Sequence, residues 1–172
     1  MTLPNTKRLT FGRFSENDAE LLFQLNGDPS VMRYITLGKP MTMDEVKTKS
    51  VPRIMKSYSH GKEFGIFPAY LIDPKVYIGW FQFEPDHEFS NAIEIGWRLK
   101  QEYWGQGFGT EGACRLVEKG KALQKRIVAR AMKENVASVR IMEKSGLKFV
   151  KEFWGNYEPH SSSPDVLYEL NP

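Results

Sequence analysis

A short glycine-rich segment is the part of this sequence best suited to bind an anion. Glycine recurs as Gly105, Gly107 and Gly109, and residues 110–124 behind it have the apolar spacing of an amphipathic helix. The first amides of a helix have no intrahelical acceptor and lie at the positive end of its dipole. Because glycine has no Cβ, an anion such as a pyrophosphate can approach these amides closely. A glycine turn that serves only packing has the same pattern, so the segment alone leaves both interpretations open.

Two phosphate-binding motifs do not match this segment. The Gly-Lys-[Ser/Thr] ending of a P-loop is missing, and so is the last glycine of the dinucleotide fingerprint. A second polar cluster, Asn135 to Ser138, opens another predicted helix one strand further along the chain. Asparagine and serine are good N-cap residues, so helix capping explains this cluster without a ligand. The two features nevertheless occur together, and in a fixed order.

The elements around these features predict one α+β domain over residues 1–172. Three alternating segments in the middle of the chain predict an antiparallel meander, and Pro68 in the first of them indicates an edge strand or a bulge. The second half reads strand, glycine turn, helix, strand, helix, which predicts one parallel crossing in a mixed sheet. The predicted strands and helices of this region are 64–72, 76–83, 91–99, 110–124, 127–132 and 135–145.

Composition excludes several classes of protein. Hydrophobic residues make up 41% and charged residues 26% of the 172 residues, which is unlike a disordered chain or a coiled coil. The net charge of +3 is only mildly basic and the cations are interspersed with acids, so direct binding to nucleic acid is not expected. No stretch approaches the roughly 18 apolar residues of a membrane span, and the first residues lack the apolar region of a signal peptide. A cytoplasmic location is therefore expected.

Other reactive side chains are few. Cys114, the single cysteine, lies on the apolar side of a predicted helix and reads as a core residue rather than a nucleophile. His60, His87 and His160 are far apart and have no ligand-like spacing, so no metal site is expected.

Three stretches taken together resemble the GNAT N-acetyltransferases. They are Glu-Ile-Gly-Trp-Arg-Leu at 94–99, Glu-Tyr-Trp-Gly-Gln-Gly-Phe-Gly-Thr-Glu at 102–111, and the segment 135–147. The segments 6–14 and 28–34 are typical of the branch that holds the ribosomal-protein alanine and serine N-acetyltransferases. The resemblance covers nearly the whole chain, and its motifs are specific for the family but not for the substrate.

The resemblance implies a three-layer α/β/α fold with a central mixed, mostly antiparallel sheet that is splayed at the cofactor site. It also implies acetyl-CoA as co-substrate, a primary amine as acceptor, direct transfer in a ternary complex, and no metal. Asn135 matches the residue that touches the cofactor arm. The positions that match the family's pyrophosphate loop are Trp104, Gly105, Gln106, Gly107, Phe108, Gly109 and Thr110. The positions that match the splayed strand end, whose backbone holds the pantetheine and polarises the thioester, are Trp97, Arg98 and Leu99.

Two positions depart from the common family pattern. Trp104 replaces the Gln or Arg that usually begins the loop, although tryptophan is familiar in this branch. Met142 stands where many members carry a tyrosine as general acid. Ser138 is then the candidate donor of a proton to the departing thiolate, and a thiolate is also stable enough to leave without an acid.

The general base is open at this point. Glu94 on the central strand is the candidate that takes the proton of the acceptor amine, and an ion-paired strand carboxylate is an equal alternative. A protein α-amine has a pKa near 8 and needs little help. Weaker candidates for the base are Tyr103, His87 and Glu152.

The sequence therefore predicts an acetyl-CoA-dependent amine N-acetyltransferase. The acceptor stays open between a protein N-terminus, such as that of a ribosomal protein, and a polyamine, an amino sugar or another small amine. A non-catalytic acyl-CoA-binding sensor or scaffold of the same fold is the alternative, because the tyrosine is missing. The chain is expected to be a monomer or a homodimer.

Overall fold

The computed structural model of the chain describes residues 3–155 and 163–172. A seven-stranded sheet runs through it in the order β1-β2-β3-β4-β5-β7-β6. The pair β4–β5 is parallel and the other neighbouring pairs are antiparallel, as the sequence predicts. The strands are β1 (Leu9–Phe11), β2 (Gly65–Leu71), β3 (Tyr77–Pro85), β4 (Ala92–Leu99), β5 (Arg126–Met132), β6 (Lys148–Phe153) and β7 (Asp165–Leu170).

The helices follow local signals in the sequence. Thr42 and Glu45 form a capping box, in which the Thr42 hydroxyl accepts from the Glu45 amide at 3.2 Å and the Glu45 carboxylate accepts from the Thr42 amide at 3.0 Å. A π-helical turn, Val46–Ser50, precedes Pro52, the residue that cannot donate a backbone hydrogen bond. The α-helices are α1 (Ala19–Asn26), α2 (Pro29–Met32), α3 (Met43–Glu45), α4 (Val51–Ser57), α5 (Phe108–Ala122) and α6 (Val136–Lys144).

Of the three hydrophobic clusters among the described residues, the two largest lie on opposite faces of the sheet, which makes the fold the three-layer α/β/α arrangement that was expected. The larger core joins the sheet to α5 and α6 through residues such as Phe81, Leu116 and Met142. The smaller core joins the other face to α1 and α4 through residues such as Leu22 and Ile54. Burial of these side chains is the main force that holds the layers together.

The sheet opens at its centre. The pairing of β4 with β5 covers only Ala92–Glu94 against Arg126–Val128, whereas β4 continues to Leu99 and stays paired with β3 over that length. Backbone groups of residues 95–99 that point towards β5 therefore have no strand partner. This is the splay that the family resemblance implied.

One of two local predictions is confirmed and the other needs correction. Pro68 indicated an edge strand or a bulge, and its strand contains a register shift between Ala69 and Tyr70, whereas β2 is not at an edge, because it lies between β1 and β3. Helix α5 begins at Phe108 rather than residue 110, because Gly107 adopts a left-handed conformation and ends the turn. Within the described residues, no helix has the length and apolar character needed to cross a bilayer.

Candidate active site

The turn before α5 presents a row of free backbone amides. Gly105 and Gly107 have φ angles of +72° and +83°, a left-handed conformation that strongly favours glycine. Within residues 3–155 and 163–172, none of the amides of residues 106–110 donates to a protein acceptor. Because the α5 dipole adds positive potential at the same point, the turn has the form of an anion site.

The N-terminal segment clamps this turn from outside. The Arg8 guanidinium donates to the Gln106 carbonyl at 3.1 Å and to the Glu111 carboxylate at 2.6 Å, and it lies 4.2 Å from the centre of the Phe108 ring. The Thr6 hydroxyl donates to the same carboxylate. Burial opposes the Glu111 anion, but the hydrogen bonds from Thr6 and Arg8 outweigh it and lower the pKa of Glu111.

Sequence reasoning missed this clamp, although Thr6, Arg8 and Glu111 all belong to the segments that carry the family resemblance. Arg8 and Glu111 are 103 residues apart, and no local pattern pairs them.

Most side chains of the turn before α5 point away from its free amides. Phe108 is buried in the larger core, and the Gln106 side chain donates to the Glu102 carbonyl at 2.7 Å. These two predicted cofactor residues can therefore contribute main-chain amides and not side chains. A Cβ on Gly109 would lie 2.6 Å from Ile141 Cδ1, so the glycine at this position serves the packing of α6. The Trp104 ring donates to the Leu99 carbonyl at 2.8 Å and holds the loop against β4.

A cleft of about 600 Å³ runs from this turn along the splay of the sheet. Its size is that of an ordinary small-molecule site. The predicted site residues that line it are Glu94, Trp97, Arg98, Leu99, Trp104, Gly105, Gly107, Gly109, Thr110, Asn135 and Ser138. Gln106 and Phe108 do not line it.

The start of α6 forms one wall of the cleft. Asn135 is the N-cap, and its side-chain oxygen accepts from the Ser138 amide at 3.2 Å, which confirms the capping interpretation. The side-chain nitrogen Nδ2 of Asn135 has no acceptor among the described residues and can donate to a ligand, so capping and cofactor contact are compatible. Met142 is buried at 1% exposure. Two cations on the same helix, Arg140 and Lys144, also line the cleft.

Glu94 lies where the sheet opens and has partners on both carboxylate oxygens. The Arg130 guanidinium donates to one at 3.1 Å, and the Gln82 side chain donates to the other at 3.3 Å. The ion-paired alternative for Glu94 is thus part of its environment, and a role as a base remains a prediction. Each carboxylate oxygen has two lone pairs and can accept from an acceptor amine as well.

Arg130 is shared among several acids. It also bonds Asp86 and Glu88, and although burial works against the Arg130 cation, these acids raise its pKa. His87 stands beside Asp86 and Glu94, close enough for the three to hold a metal ion. The Arg130 guanidinium, which binds the carboxylates of Asp86 and Glu94, would compete with such an ion. The expectation of no metal remains a prediction.

The weaker base candidates differ in position. Tyr103 lines the cleft, whereas Glu152 is bound to Lys133 at 2.5 Å and neither it nor His87 reaches the cleft. The sequence also predicts a polar loop over residues 156–164, which could gate the acceptor site or be an ordinary surface connection. This loop lies largely outside the described residues, as does His160.

Cys114 is remote from the cleft. It borders a separate shallow depression on α5, is only half-buried and belongs to none of the hydrophobic cores of the described residues, so the prediction of a core residue is wrong. Burial raises the pKa of its thiol.

Several lining residues were not predicted. They come from the α1–α2 segment (residues 19–35, which include the turn after α2), from β3 and from β5. Their side chains face the splay from the side opposite α5. Their types, mostly aromatic or aliphatic, look like core residues in the sequence, so no local signal marked them. They are Ser30, Val31, Tyr34, Ile35, Trp80, Gln82 and Arg130.

Comparisons with known proteins agree with this geometry. Residues 8–148 match the family model of the acetyltransferase (GNAT) domain. The chain is 27% identical over 181 residues to FsC-acetyl coenzyme A-N(2)-transacetylase of Aspergillus fumigatus, covering 96% of this chain and 74% of that protein. It superposes with a TM-score of 0.81 on a GNAT-family acetyltransferase from Bacillus anthracis, with 26% identity and coverage of 99% and 98%.

A further solved structure shares the fold alone. RimL, a ribosomal L7/L12 alpha-N-protein acetyltransferase in complex with coenzyme A, superposes with a TM-score of 0.80 at 14% identity, covering 99% of this chain and 98% of that one. The family model matches most of the chain, and the sheet is splayed beside a glycine turn. The chain therefore belongs to the GNAT acetyltransferase family.

Proposed function

We propose that this protein is an acetyl-CoA-dependent N-acetyltransferase that moves an acetyl group directly to a primary amine. The observation that carries the proposal is the adjacency of two features in one cleft. The turn before α5 offers unpaired amides to a diphosphate, and the unpaired edge of β4 begins beside it. A ligand with a phosphate end and an extended arm fits both.

The donor half of the cleft is built from backbone and cations. The amides of residues 106–110 would hold the diphosphate, and the unpaired backbone of residues 95–99 would hold the pantetheine arm. Arg140 and Lys144 line the same cleft and suit a further phosphate. Acetyl-CoA brings the activated acyl group as a thioester.

Direct transfer is part of this proposal. The lining agrees with it: of the lining residues that the structure describes, none is a cysteine or a histidine, so the lining holds neither a cysteine nucleophile nor a histidine to activate a serine. In the proposed step the acceptor nitrogen attacks the thioester carbon itself: a C–N bond forms, the C–S bond breaks, and the sulfur leaves as a thiolate.

Two protein groups handle the protons in this proposal. Glu94 accepts the proton that the amine loses, directly or through water, and the hydrogen bond from Arg130 orients the carboxylate. Ser138 lines the opposite wall and is the candidate donor to the thiolate. Fixed backbone dipoles of β4 stabilise the developing negative charge on the carbonyl oxygen.

The test is a turnover assay that follows free thiol with acetyl-CoA and a panel of peptides and small amines. We expect thiol release with at least one amine. In Glu94→Gln, the rate should fall most at low pH, where the acceptor amine is protonated and needs a base. A parallel pH profile would remove Glu94 from that role. Tight coenzyme A binding without thiol release for any amine would favour the sensor or scaffold.

A further inference from the structure

The two faces of β4 differ sharply in chemistry. Ile95, Trp97 and Leu99 point to the α5 side and pack on the larger core. Since side chains alternate along a strand, Glu94 and Arg98 share the other face, which looks towards the α1–α2 segment. Both line the cleft. An acceptor that enters from the α1–α2 side therefore meets a carboxylate and a guanidinium on the same strand.

Arg98 is a cation without a carboxylate partner among the described residues. Its guanidinium donates to the Asn26 side-chain oxygen and lies 5.0 Å from the Trp80 ring. The Nε atom is enclosed and has no acceptor in the structure. Burial lowers the pKa of Arg98 to about 10, so the group is still charged at neutral pH. Arg98 is half-buried and lines the cleft. A cation that is largely removed from water and has only neutral protein neighbours is costly, and an anionic ligand would relieve that cost.

The other end of this face keeps surplus negative charge. Arg130 is divided among the carboxylates of Asp86, Glu88 and Glu94, and Lys151 lies 3.7 Å from Glu88, so two cations serve three anions. The Cα atoms of Glu94 and Arg98 are separated by about 13 Å along the strand. The acceptor side of the cleft is thus dipolar, negative at Glu94 and positive at Arg98.

From this arrangement we infer that the acceptor amine carries a carboxylate, which Arg98 binds while the amine lies at the Glu94 end. The inference rests on the proposed function and specifies its substrate class. A polyamine fits poorly, because its second ammonium would approach Arg98. Aromatic and aliphatic walls from Val31, Tyr34 and Trp80 leave room for an apolar body between the two charges.

The test compares amines that differ only in the carboxylate. The pairs are 4-aminobutyrate and its amide, 6-aminohexanoate and its amide, and 8-aminooctanoate and its amide, in which a chain of increasing length separates the amine from the carboxylate, with spermidine as the polycation. Rates are corrected for the fraction of deprotonated amine, and binding of each amine to the coenzyme A complex is measured by calorimetry. We expect wild-type protein to prefer the acid of at least one pair by roughly 10- to 100-fold, the range of a charge-assisted hydrogen bond.

Arg98→Met should abolish that preference, and Arg98→Lys should keep part of it. Arg115→Met is the matched control, because this arginine pairs with Glu118 on the outside of α5. It should leave the preference intact. If Arg98→Met does not fold, the wild-type comparison still decides.

Equal use of acids and amides, or a preference for spermidine, would overturn the inference and leave the N-acetyltransferase proposal standing. An equal loss for both members of a pair in Arg98→Met would also overturn it, since that pattern means a general structural role. If no amine is acetylated, the proposed function fails, and the calorimetric preference for acids over amides still decides whether Arg98 binds a carboxylate.

Discussion

Replacing Gly112 with alanine tests how closely α5 lies against the sheet. A Cβ at this position would stand 2.1 Å from Phe81 Cζ and 2.2 Å from Cε1. Phe81 is fully buried, and its ring is packed edge-on against Phe11 at 5.7 Å, so it has no free space to swing into. The helix must therefore move away by roughly 1.5 Å to restore normal carbon contacts.

Two effects of opposite sign decide the outcome. Alanine is favoured over glycine within a helix by about 1 kcal/mol, whereas overpacking a core costs about 1–3 kcal/mol. Because the clash is with a rigid, buried ring, we place its cost at the upper end. The net loss is then about 1–2 kcal/mol, which lowers Tm by about 2–8 °C for a chain of this length.

The same shift should weaken coenzyme A binding, because the free amides of residues 108–110 begin one turn before Gly112. Calorimetry measures both quantities, as Tm and as Kd. Gly12→Ala is the matched control, since its Cβ would make only ordinary contacts, 3.5 Å from Pro68 and 3.7 Å from Tyr70. Phe81→Leu combined with Gly112→Ala should lose less than the sum of the single changes. A Gly112→Ala protein that melts at or above the wild-type temperature would refute the reasoning.

Three further changes address the cleft. The turn holds residue 107 in a left-handed conformation, which costs any residue with a Cβ about 1–2 kcal/mol. Gly107→Ala should therefore distort the turn and lower the coenzyme A affinity, measured by calorimetry, at least about tenfold. Unchanged affinity would exclude this turn as the diphosphate site. Asn135→Ser keeps the helix cap, whereas Asn135→Ala loses about 1 kcal/mol of helix stability. We expect both variants to lose turnover and only the alanine variant to have a lower Tm, which separates cofactor contact from capping. Full turnover in the serine variant would leave capping as the sole role. The lowered pKa of Glu111 gives stability that is present above its unfolded pKa of 4.5 and is lost as the pH falls through the folded pKa. Glu111→Gln should therefore flatten the decline of Tm below pH 4.5. An unchanged dependence of Tm on pH in this range would contradict the reasoning.

Local signals predicted most of the elements and marked the glycine turn, whereas the family resemblance assigned the site residues their roles. The glycine turn before α5, the N-cap Asn135 and the strand that ends at Leu99 depend on residues within a few positions of one another. Helical spacing, capping and glycine conformations are properties of such short segments, so they can be read without the fold. The family resemblance added the splay of the sheet, which no periodicity marks.

The partners of the charged groups were decided by the tertiary structure. Arg130 and Glu94 are 36 residues apart, and they meet because β5 is paired with β4 for just three residues before the sheet opens. Arg98 faces Asn26 across 72 residues because α1 packs on that face of the sheet. The sequence determined which groups are charged and which strands carry them. Their contacts depend on the strand order and on where pairing stops, and both are set by packing of the whole chain rather than by neighbouring residues.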